Sequence, residues 1–404
     1  MRILIAGQSY YPEPSGQASF TVNLAEGMAQ AGHPVLVITA SNRGHAYHTV
    51  RNGVQVKGLT SIRASWWHPD SYIAIWPWRQ VSRLFDEFRP DIVHIQDHYP
   101  LCRTVVSAAR KRHLPVVGTN HFLPENVTHY VPMPTWCRPS FNRLLWWAML
   151  DLYNRLDIVT IATETGVAIL RQAGIRVPTY PVSCGIDLDR FYLDSQVDRL
   201  ELRRRYGLAP DRTLFLFVGR VDQEKRLDVL LQALHRLDRD DIQLGIAGHG
   251  ARLKALQAMA RRLNLGQRVV FTDYVPADDL LALLNSADIF AMPSEAELQS
   301  IATLEALACG RPVLAANAKA LPELVEDGVN GYLFRAGDVE DAARCMAQLA
   351  DQPARWAAMG AASLEKAHLH SQHNSFRRYR ELYRSLLPGH ATQRAQQLSP
   401  TANH

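Results

Sequence analysis

The 404-residue chain has no apolar run close to the roughly 18 residues that a membrane-spanning helix needs. Its opening, MRILIAGQSYYPEP, carries one Arg and an apolar run too short for a secretory signal, and reads as a first strand. Cysteine is scarce too. Cys102, Cys137, Cys184, Cys309 and Cys345 are odd in number, scattered and without a C-x-x-C pair. That pattern excludes a disulfide framework and a zinc site, and points to a reducing cytoplasm. No G-x-G-x-x-G occurs, which argues against a dinucleotide site. Charged residues are 21% and apolar ones 47%, so neither a disordered nor a collagen-like chain fits. At about 150 residues per domain, this length predicts two to three domains.

What is present is unevenly placed. The net charge is +5. Residues 1–180 hold 17 Lys+Arg against 11 Asp+Glu, and the remainder 27 against 28. Seven of the eight Trp also lie in that basic half. Such a half suits a surface that meets phosphates or anionic headgroups, or else a Trp-rich core under a solvated basic face.

Short runs, apolar on both faces and bounded by Gly, Pro or Asp, predict buried parallel strands. In the first half they fall at 2–7, 34–40, 54–59, 92–96, 115–119 and 158–162, with helices at 17–31 and 101–113. In the second half they fall at 213–218, 242–247, 269–272, 289–292 and 312–316. Helices at 226–237, 250–263, 277–286 and 299–309 alternate with these. The fold class is α/β, with two consecutive Rossmann-like, doubly wound parallel-sheet domains. Ligands of such sheets bind outside the carboxyl ends of the strands, so two facing domains would enclose a central cleft.

The chemistry should therefore sit just after strands. In residues 293–316, PSEAELQSIATLEALACGRPVLAA, strand 289–292 leads into a loop carrying Glu297, and a helix carries Glu305 two turns on. Loop amides and a helix start suit phosphate or sugar hydroxyls, and a carboxylate at Glu305 can take a ribose diol. In residues 217–234, FVGRVDQEKRLDVLLQAL, strand 213–218 ends at Gly219 and presents Arg220 and Lys225. Two cations at one loop would neutralise the charge that develops on a diphosphate leaving group. Gly16, in Pro14-Ser15-Gly16, precedes a helix and lets backbone approach a phosphate closely.

The 293–316 block resembles the retaining glycosyltransferases of family 4, of the two-domain GT-B architecture, in its Pro-Ser start, Glu, seven residues, Glu-Ala and Gly-x-Pro-Val. The Gly-Arg…Lys segment matches the family's diphosphate clamp, and 247–253 (AGHGARL) resembles its Gly-x-Gly loop. Segment 183–191 (SCGIDLDRF) resembles its Gly-Ile-Asp…Phe at the end of the first domain, with Asp187 structural. The resemblance spans residues 1 to about 388 and implies a hexosyltransferase that uses a nucleotide-diphosphate sugar. It implies catalytic roles for His121, Glu297, Arg220 and Lys225. Gly16, Glu305, Leu298, Gln299 and Ser300 would bind substrate. His121, in GTNHFLPEN (118–126), would lie against the donor hexose. Glu-Leu-Gln-Ser from Glu297 departs from the family's usual Glu-Gly-Phe-Gly, which leaves the donor sugar open. Both that phrase and His-Phe-x-Pro-Glu-Asn look like members that glycosylate lipids.

From this come the remaining expectations. The domains are 1–190 for the acceptor and 191–365 for the donor, then a helix over 366–388 returning to the first domain, and a disordered tail at 389–404. The donor is UDP-glucose and the acceptor a lipid such as diacylglycerol. Alternatives are GDP-mannose, a soluble sugar acceptor, or an epimerase of the same architecture. No cofactor or metal is essential, since Arg220 and Lys225 supply positive charge and the triplets Asp187-Leu188-Asp189 and Asp238-Arg239-Asp240 lie in turns. No motif for nucleic acid accompanies the basic half. Stretches 63–89 and 130–150 mix Trp, Leu and Arg as interfacial helices do. They predict peripheral contact with an anionic membrane, on its cytoplasmic face, through Trp146 and Trp147.

Overall fold

A computed structural model describes residues 1–12, 15–64, 72–75, 77–124 and 133–388. Pro14, Trp66, Trp67, Trp76, Glu125 and Asn126, and the expected tail 389–404, lie outside the described residues. The chain divides into two units: Met1–Ser183 with the chain from Ser375 onward, and Cys184–Asn374.

Unit 1 is built on β1 (Ile3–Gly7), β2 (Val35–Ala40), β3 (Tyr47–Arg51), β4 (Val54–Leu59), β7 (Ile92–Ile95), β8 (Val116–Asn120), β9 (Ile158–Ile161) and β10 (Thr179–Pro181). Their order in the sheet is β10-β9-β8-β7-β1-β2-β4-β3, with only the β3–β4 pair antiparallel. A separate small ribbon pairs β5 (Ser61–Arg63) with β6 (Tyr72–Ala74). Every residue of β1, β2, β7, β8 and β9 is buried, as expected of parallel strands covered on both faces. The covering helices include α1 (Gly16–Gln30), α2 (Trp78–Phe88), α3 (Pro100–Arg110), α4 (Arg138–Tyr153) and α5 (Glu164–Ala173). Ser15 caps α1, its Oγ accepting from the Ala18 amide at 3.1 Å.

Unit 2 carries β11 (Thr213–Val218), β12 (Ile242–Ala247), β13 (Val269–Asp273), β14 (Ile289–Met292), β15 (Val313–Asn317) and β16 (Gly331–Arg335). These form one parallel sheet, β13-β12-β11-β14-β15-β16. Its helices are α6 (Arg199–Arg205), α7 (Leu227–Leu237), α8 (Leu253–Arg262), α9 (Ala277–Ser286), α10 (Ile301–Ala308), α11 (Leu321–Leu324), α12 (Val339–Ala350) and α13 (Trp356–Leu369). Each unit is a Rossmann-like doubly wound domain.

Two features of chain organisation differ between the structure and the expectation. The division falls after Ser183 rather than at 190, because Ile186 and Phe191 are buried in the core of unit 2. The segment expected to end the first domain thus opens the second. The helix expected over 366–388 is broken. Helix α13 stops at Leu369, and α14 (Gln372–Leu386) begins after a short bridge between Ile186 and Ser371. In that bridge the Ile186 amide donates to His370 O at 2.8 Å and the Gln372 amide to Ile186 O at 2.9 Å.

Helix α14 belongs to unit 1 from Ser375 on, and polar groups hold it there. Tyr383 Oη meets His94 Nδ1 at 2.6 Å, and His94 Nε2 meets Thr119 Oγ1 at 2.7 Å. Tyr379 Oη bonds Thr119 Oγ1 and Thr160 Oγ1, each at 3.1 Å. His94 is fully buried, and burial pushes its pKa down to about 3, so the network is neutral. Among the described residues no helix is long and apolar enough to cross a membrane.

Candidate active site

In unit 2 the strand order reverses at β11, which pairs with β12 on one side and β14 on the other. Loops leaving the carboxyl ends of β11 and β14 therefore emerge side by side, at the point where ligands of such sheets bind. They are stitched together, with Ser294 Oγ donating to Glu224 O at 3.2 Å and the Glu295 amide to the same oxygen at 3.3 Å. This brings together two residues that sequence places 72 positions apart. Lys225 Nζ donates to Glu297 Oε1 at 2.5 Å, with side chains only 16% and 11% exposed. Arg220 is 62% exposed and held by Asp222 at 2.8 Å and Glu224 at 3.1 Å. The loop thus presents cations that carboxylates already aim, which suits a polyanionic ligand.

A further ion pair at this crevice escaped the sequence reading. Arg226, at φ 49°, pairs with Glu295 and Asp228. Only its place after a lysine on the loop could have signalled it. The Gly-x-Gly loop has a backbone reason. Gly248 sits at φ 143°, and a Cβ there would lie 1.9 Å from Gly219 O. A Cβ on Gly250 would lie 2.4 Å from Val221 O. Both glycines let 248–250 pack on the backbone of the Arg220 loop, where the Val221 amide donates to His249 O at 2.9 Å. His249 itself is exposed and meets Asp273 at 3.0 Å.

The residues after Glu297 divide by role. Ser300 is buried and caps α10, its Oγ accepting from Thr303 N at 3.3 Å and Thr303 Oγ1 at 2.8 Å. Gln299 Oε1 accepts from the Cys184 amide at 2.7 Å. Leu298 is partly buried beside them. On α10, burial pushes the Glu305 carboxyl up to about 7 against the pull of Arg190. Glu305 is thereby poised between neutral and ionised forms near neutral pH. Asp187 Oδ1 accepts from the amides of Asp189 (3.0 Å) and Arg190 (3.2 Å), a turn role. Among the described residues no group of three or more His, Cys, Asp or Glu stands together as a metal site.

Unit 1 has its own reversal, at β1 between β2 and β7. Gly16 opens α1 there, and a Cβ on it would meet nothing within 4 Å, so packing within this chain does not demand the glycine. His121 follows β8; its Nε2 meets Gln96 Oε1 at 3.0 Å, and its ring lies 4.8 Å from that of Phe20. Burial lowers its pKa to about 4, which makes it a neutral imidazole. Sequence reading missed Asp97 and His98, which follow β7 directly. Asp97 Oδ2 accepts from the Gln8 amide at 2.5 Å and from Gln17 Nε2 at 3.1 Å, and Oδ1 from the Tyr99 amide at 3.0 Å. One buried carboxylate thus ties together three segments of the crevice. The signal was available, an Asp-His pair between an apolar strand and the Pro100 that opens a helix.

The two expected Trp residues differ. Trp147 is 66% exposed, whereas Trp146 is partly buried and engaged. Trp136 (79%), Leu144 (54%) and Arg143 are exposed as well.

Two family models match the chain: Glycosyltransferase Family 4 over residues 14–190 and Glycosyl transferases group 1 over residues 198–366. The alpha-monoglucosyldiacylglycerol synthase of Streptococcus pneumoniae is 25% identical over 83% of this chain and 75% of its own length. A GDP-mannose-dependent alpha-(1-6)-phosphatidylinositol monomannoside mannosyltransferase of Mycolicibacterium smegmatis is 40% identical over 53% of this chain and 58% of its own. The chain therefore spans little more than half the length of that second relative. Among solved structures, Anabaena HepE in complex with UDP covers 96% of this chain and 100% of its own at a TM-score of 0.77 and 20% identity. Sucrose-phosphate synthase from Thermosynechococcus elongatus gives a TM-score of 0.76 at 20% identity, covering 96% of this chain and 99% of its own. Both likenesses concern the fold.

Proposed function

The chain belongs to the family 4 glycosyltransferases, nucleotide-sugar-dependent enzymes of the GT-B fold, and on that premise we propose that it moves a hexose from UDP-glucose to a lipid alcohol such as diacylglycerol. The carrying observation is the Lys225–Glu297 pair beside Arg220 at the strand-order reversal of unit 2. In this reading Arg220 and Lys225 bind the diphosphate, and Glu305 accepts the ribose hydroxyls. Glu297 aims Lys225 and orients the sugar with Leu298 and Gln299, while Ser300 shapes the loop by capping its helix. Gly16 and the neutral His121 of unit 1 serve the phosphate and the hexose. The bond from the anomeric carbon to the diphosphate oxygen breaks as the acceptor oxygen bonds that carbon on the same face. The acceptor proton passes to the departing phosphate oxygen, so configuration is retained without a protein nucleophile. Positive charge at the leaving group stabilises that transition state.

The lipid acceptor rests on the diacylglycerol-glucosylating relative and on the exposed Trp136, Leu144, Trp147 and Arg143 of unit 1, which suit an anionic bilayer surface. A GDP-mannose donor is the second reading, favoured by the 40% identity to the mannosyltransferase. Nucleotide release from UDP-, GDP- and ADP-sugars, each with and without diacylglycerol in mixed micelles, tests both. Lipid-dependent UDP release is expected. Release from a GDP-sugar alone moves the donor to mannose, and release indifferent to lipid removes the lipid acceptor.

A further inference from the structure

At the carboxyl ends of β1 and β7 in unit 1 lies a cavity of about 280 Å³. Tyr72, Ile73, Pro100, Leu145 and Ala148 give it an apolar wall. That volume is just below the roughly 300–1,000 Å³ usual for small-molecule sites, enough for a segment of one hydrocarbon chain. Two buried polar residues interrupt the wall. His98, 8% exposed, has no partner for Nδ1, and Gln8, 6% exposed, has none for Oε1. Burial, helped by Arg103, holds the His98 pKa down at about 4, so the ring is neutral. Arg103 borders the cavity, but its charge is already taken by Asp151 at 3.0 Å and by the Ala148 carbonyl. Among the described residues the cavity therefore offers apolar surface and neutral polar groups, with the Arg103 cation committed.

A second observation concerns α4. Its Leu145 and Ala148 form the cavity wall, while Leu144 and Trp147, one position away, face out and are more than half exposed. One helix therefore borders both an apolar cavity and an apolar, Trp-bearing surface. A charged headgroup would meet no free counter-ion in the cavity, whereas a hydroxyl carried on hydrocarbon matches both kinds of wall.

We propose that this cavity holds the hydrocarbon adjoining the hydroxyl of a neutral lipid alcohol, with His98 hydrogen-bonding the hydroxyl end and α4 standing between cavity and bilayer. The acceptor role of that lipid rests on the function proposed above; its binding does not.

The test is photo-crosslinking of the full chain in mixed micelles with a diacylglycerol bearing a diazirine near the glycerol, followed by peptide mapping. Label is expected at Ile73, Leu145 and Ala148, resolved to the residue, and unlabelled diacylglycerol should compete it away. Ala148→Phe and, independently, Ile73→Trp fill the cavity and should each cut labelling at least tenfold in protein that still unfolds cooperatively. His98→Phe should weaken competition by diacylglycerol several-fold, but not by its O-acetyl derivative, which lacks the hydroxyl. Label confined to the exposed Trp136, Leu144 and Trp147, or undiminished in both filled variants, overturns the proposal. Labelling of the cavity without sugar transfer to any lipid would sink the acceptor reading and leave the cavity standing. Transfer to lipid with an unlabelled cavity would do the reverse.

Discussion

Units 1 and 2 each carry a sheet, wholly parallel in unit 2 and parallel but for β3 in unit 1, whose strand order reverses beside its first strand, yet they furnish the crevice at that point with different electrostatics. Unit 2 sets Arg220, Lys225 and Arg226 against Asp222, Glu224, Glu295 and Glu297. Unit 1 sets out Gln8, Gln96, His98 and His121, with both imidazoles driven neutral by burial. Asp97, a carboxyl at the reversal, has its pKa raised by burial and spends its oxygens on Gln8, Gln17 and Tyr99. The difference is that of the two substrates proposed. A nucleotide diphosphate carries negative charge that cations must balance, while an alcohol on a hydrocarbon tail gains nothing from charge and loses by its desolvation.

The largest effect that could break this contrast is at Lys225. Lys225→Ala should lower the rate of nucleotide release about 10²–10³-fold, the scale of removing one transition-state charge partner. Initial rates at saturating donor would measure it, and a loss under threefold would take Lys225 out of the clamp. In unit 1 the neutral network is structural. Tyr383→Phe leaves buried His94 Nδ1 without its partner and should cost about 1–3 kcal/mol in denaturant unfolding. A smaller cost would mean that the Tyr383–His94 bond does little to hold α14. Next comes the membrane face. Leu144→Ala with Trp147→Ala should weaken liposome binding roughly thirtyfold or more, since each truncation removes roughly 1 kcal/mol or more of apolar contact. Trp146→Ala should matter less, because that ring is partly buried. Unaltered co-sedimentation of the double variant would make the exposed residues ordinary surface.

The smallest effect concerns Glu305. Folded, it keeps its proton to about pH 7; its ordinary value is 4.5. Between those values the folded chain binds more protons than the unfolded one, so stability falls as pH rises through that window. Glu305→Gln removes this loss. Its Tm should match wild type near pH 5 and exceed it by a few degrees near pH 8. The same titration predicts that donor affinity in the wild type improves across pH 7, where the ribose acceptor becomes a carboxylate. A Glu305→Gln variant with no such Tm gain would place the carboxyl in water.

Much of unit 2 was legible in the sequence, and the reason is physical. Strands 213–218, 242–247 and 289–292 and helix 277–286 match the observed bounds, because buried parallel strands read as unbroken apolar runs and α9 begins cleanly after Pro276. Edge strand β3 was not legible, since its residues are mostly exposed, nor were the three-residue β5, β6 and β10. The position of Lys225 and Glu297 after strands could be read, but their mutual contact is a consequence of sheet order. Asp97 and His98 were missed because a polar Gln-Asp-His-Tyr looks like solvent-facing loop. Only tertiary burial makes them a buried hub and a neutral ring. The interruption at His370-Ser371 is likewise tertiary, set by a bridge to Ile186 far back in the chain.

The contrast between the units is tested most directly by ionic strength. Donor KM and lipid-acceptor KM should be measured on the same preparation from about 50 to 500 mM KCl, with the acceptor in neutral detergent micelles. Screening should raise the donor KM several-fold as salt weakens the Arg220 and Lys225 contacts, and leave the acceptor KM flat or lower. A donor KM indifferent to salt, or an acceptor KM that climbs with it, would contradict the assignment of charge to unit 2 and neutrality to unit 1.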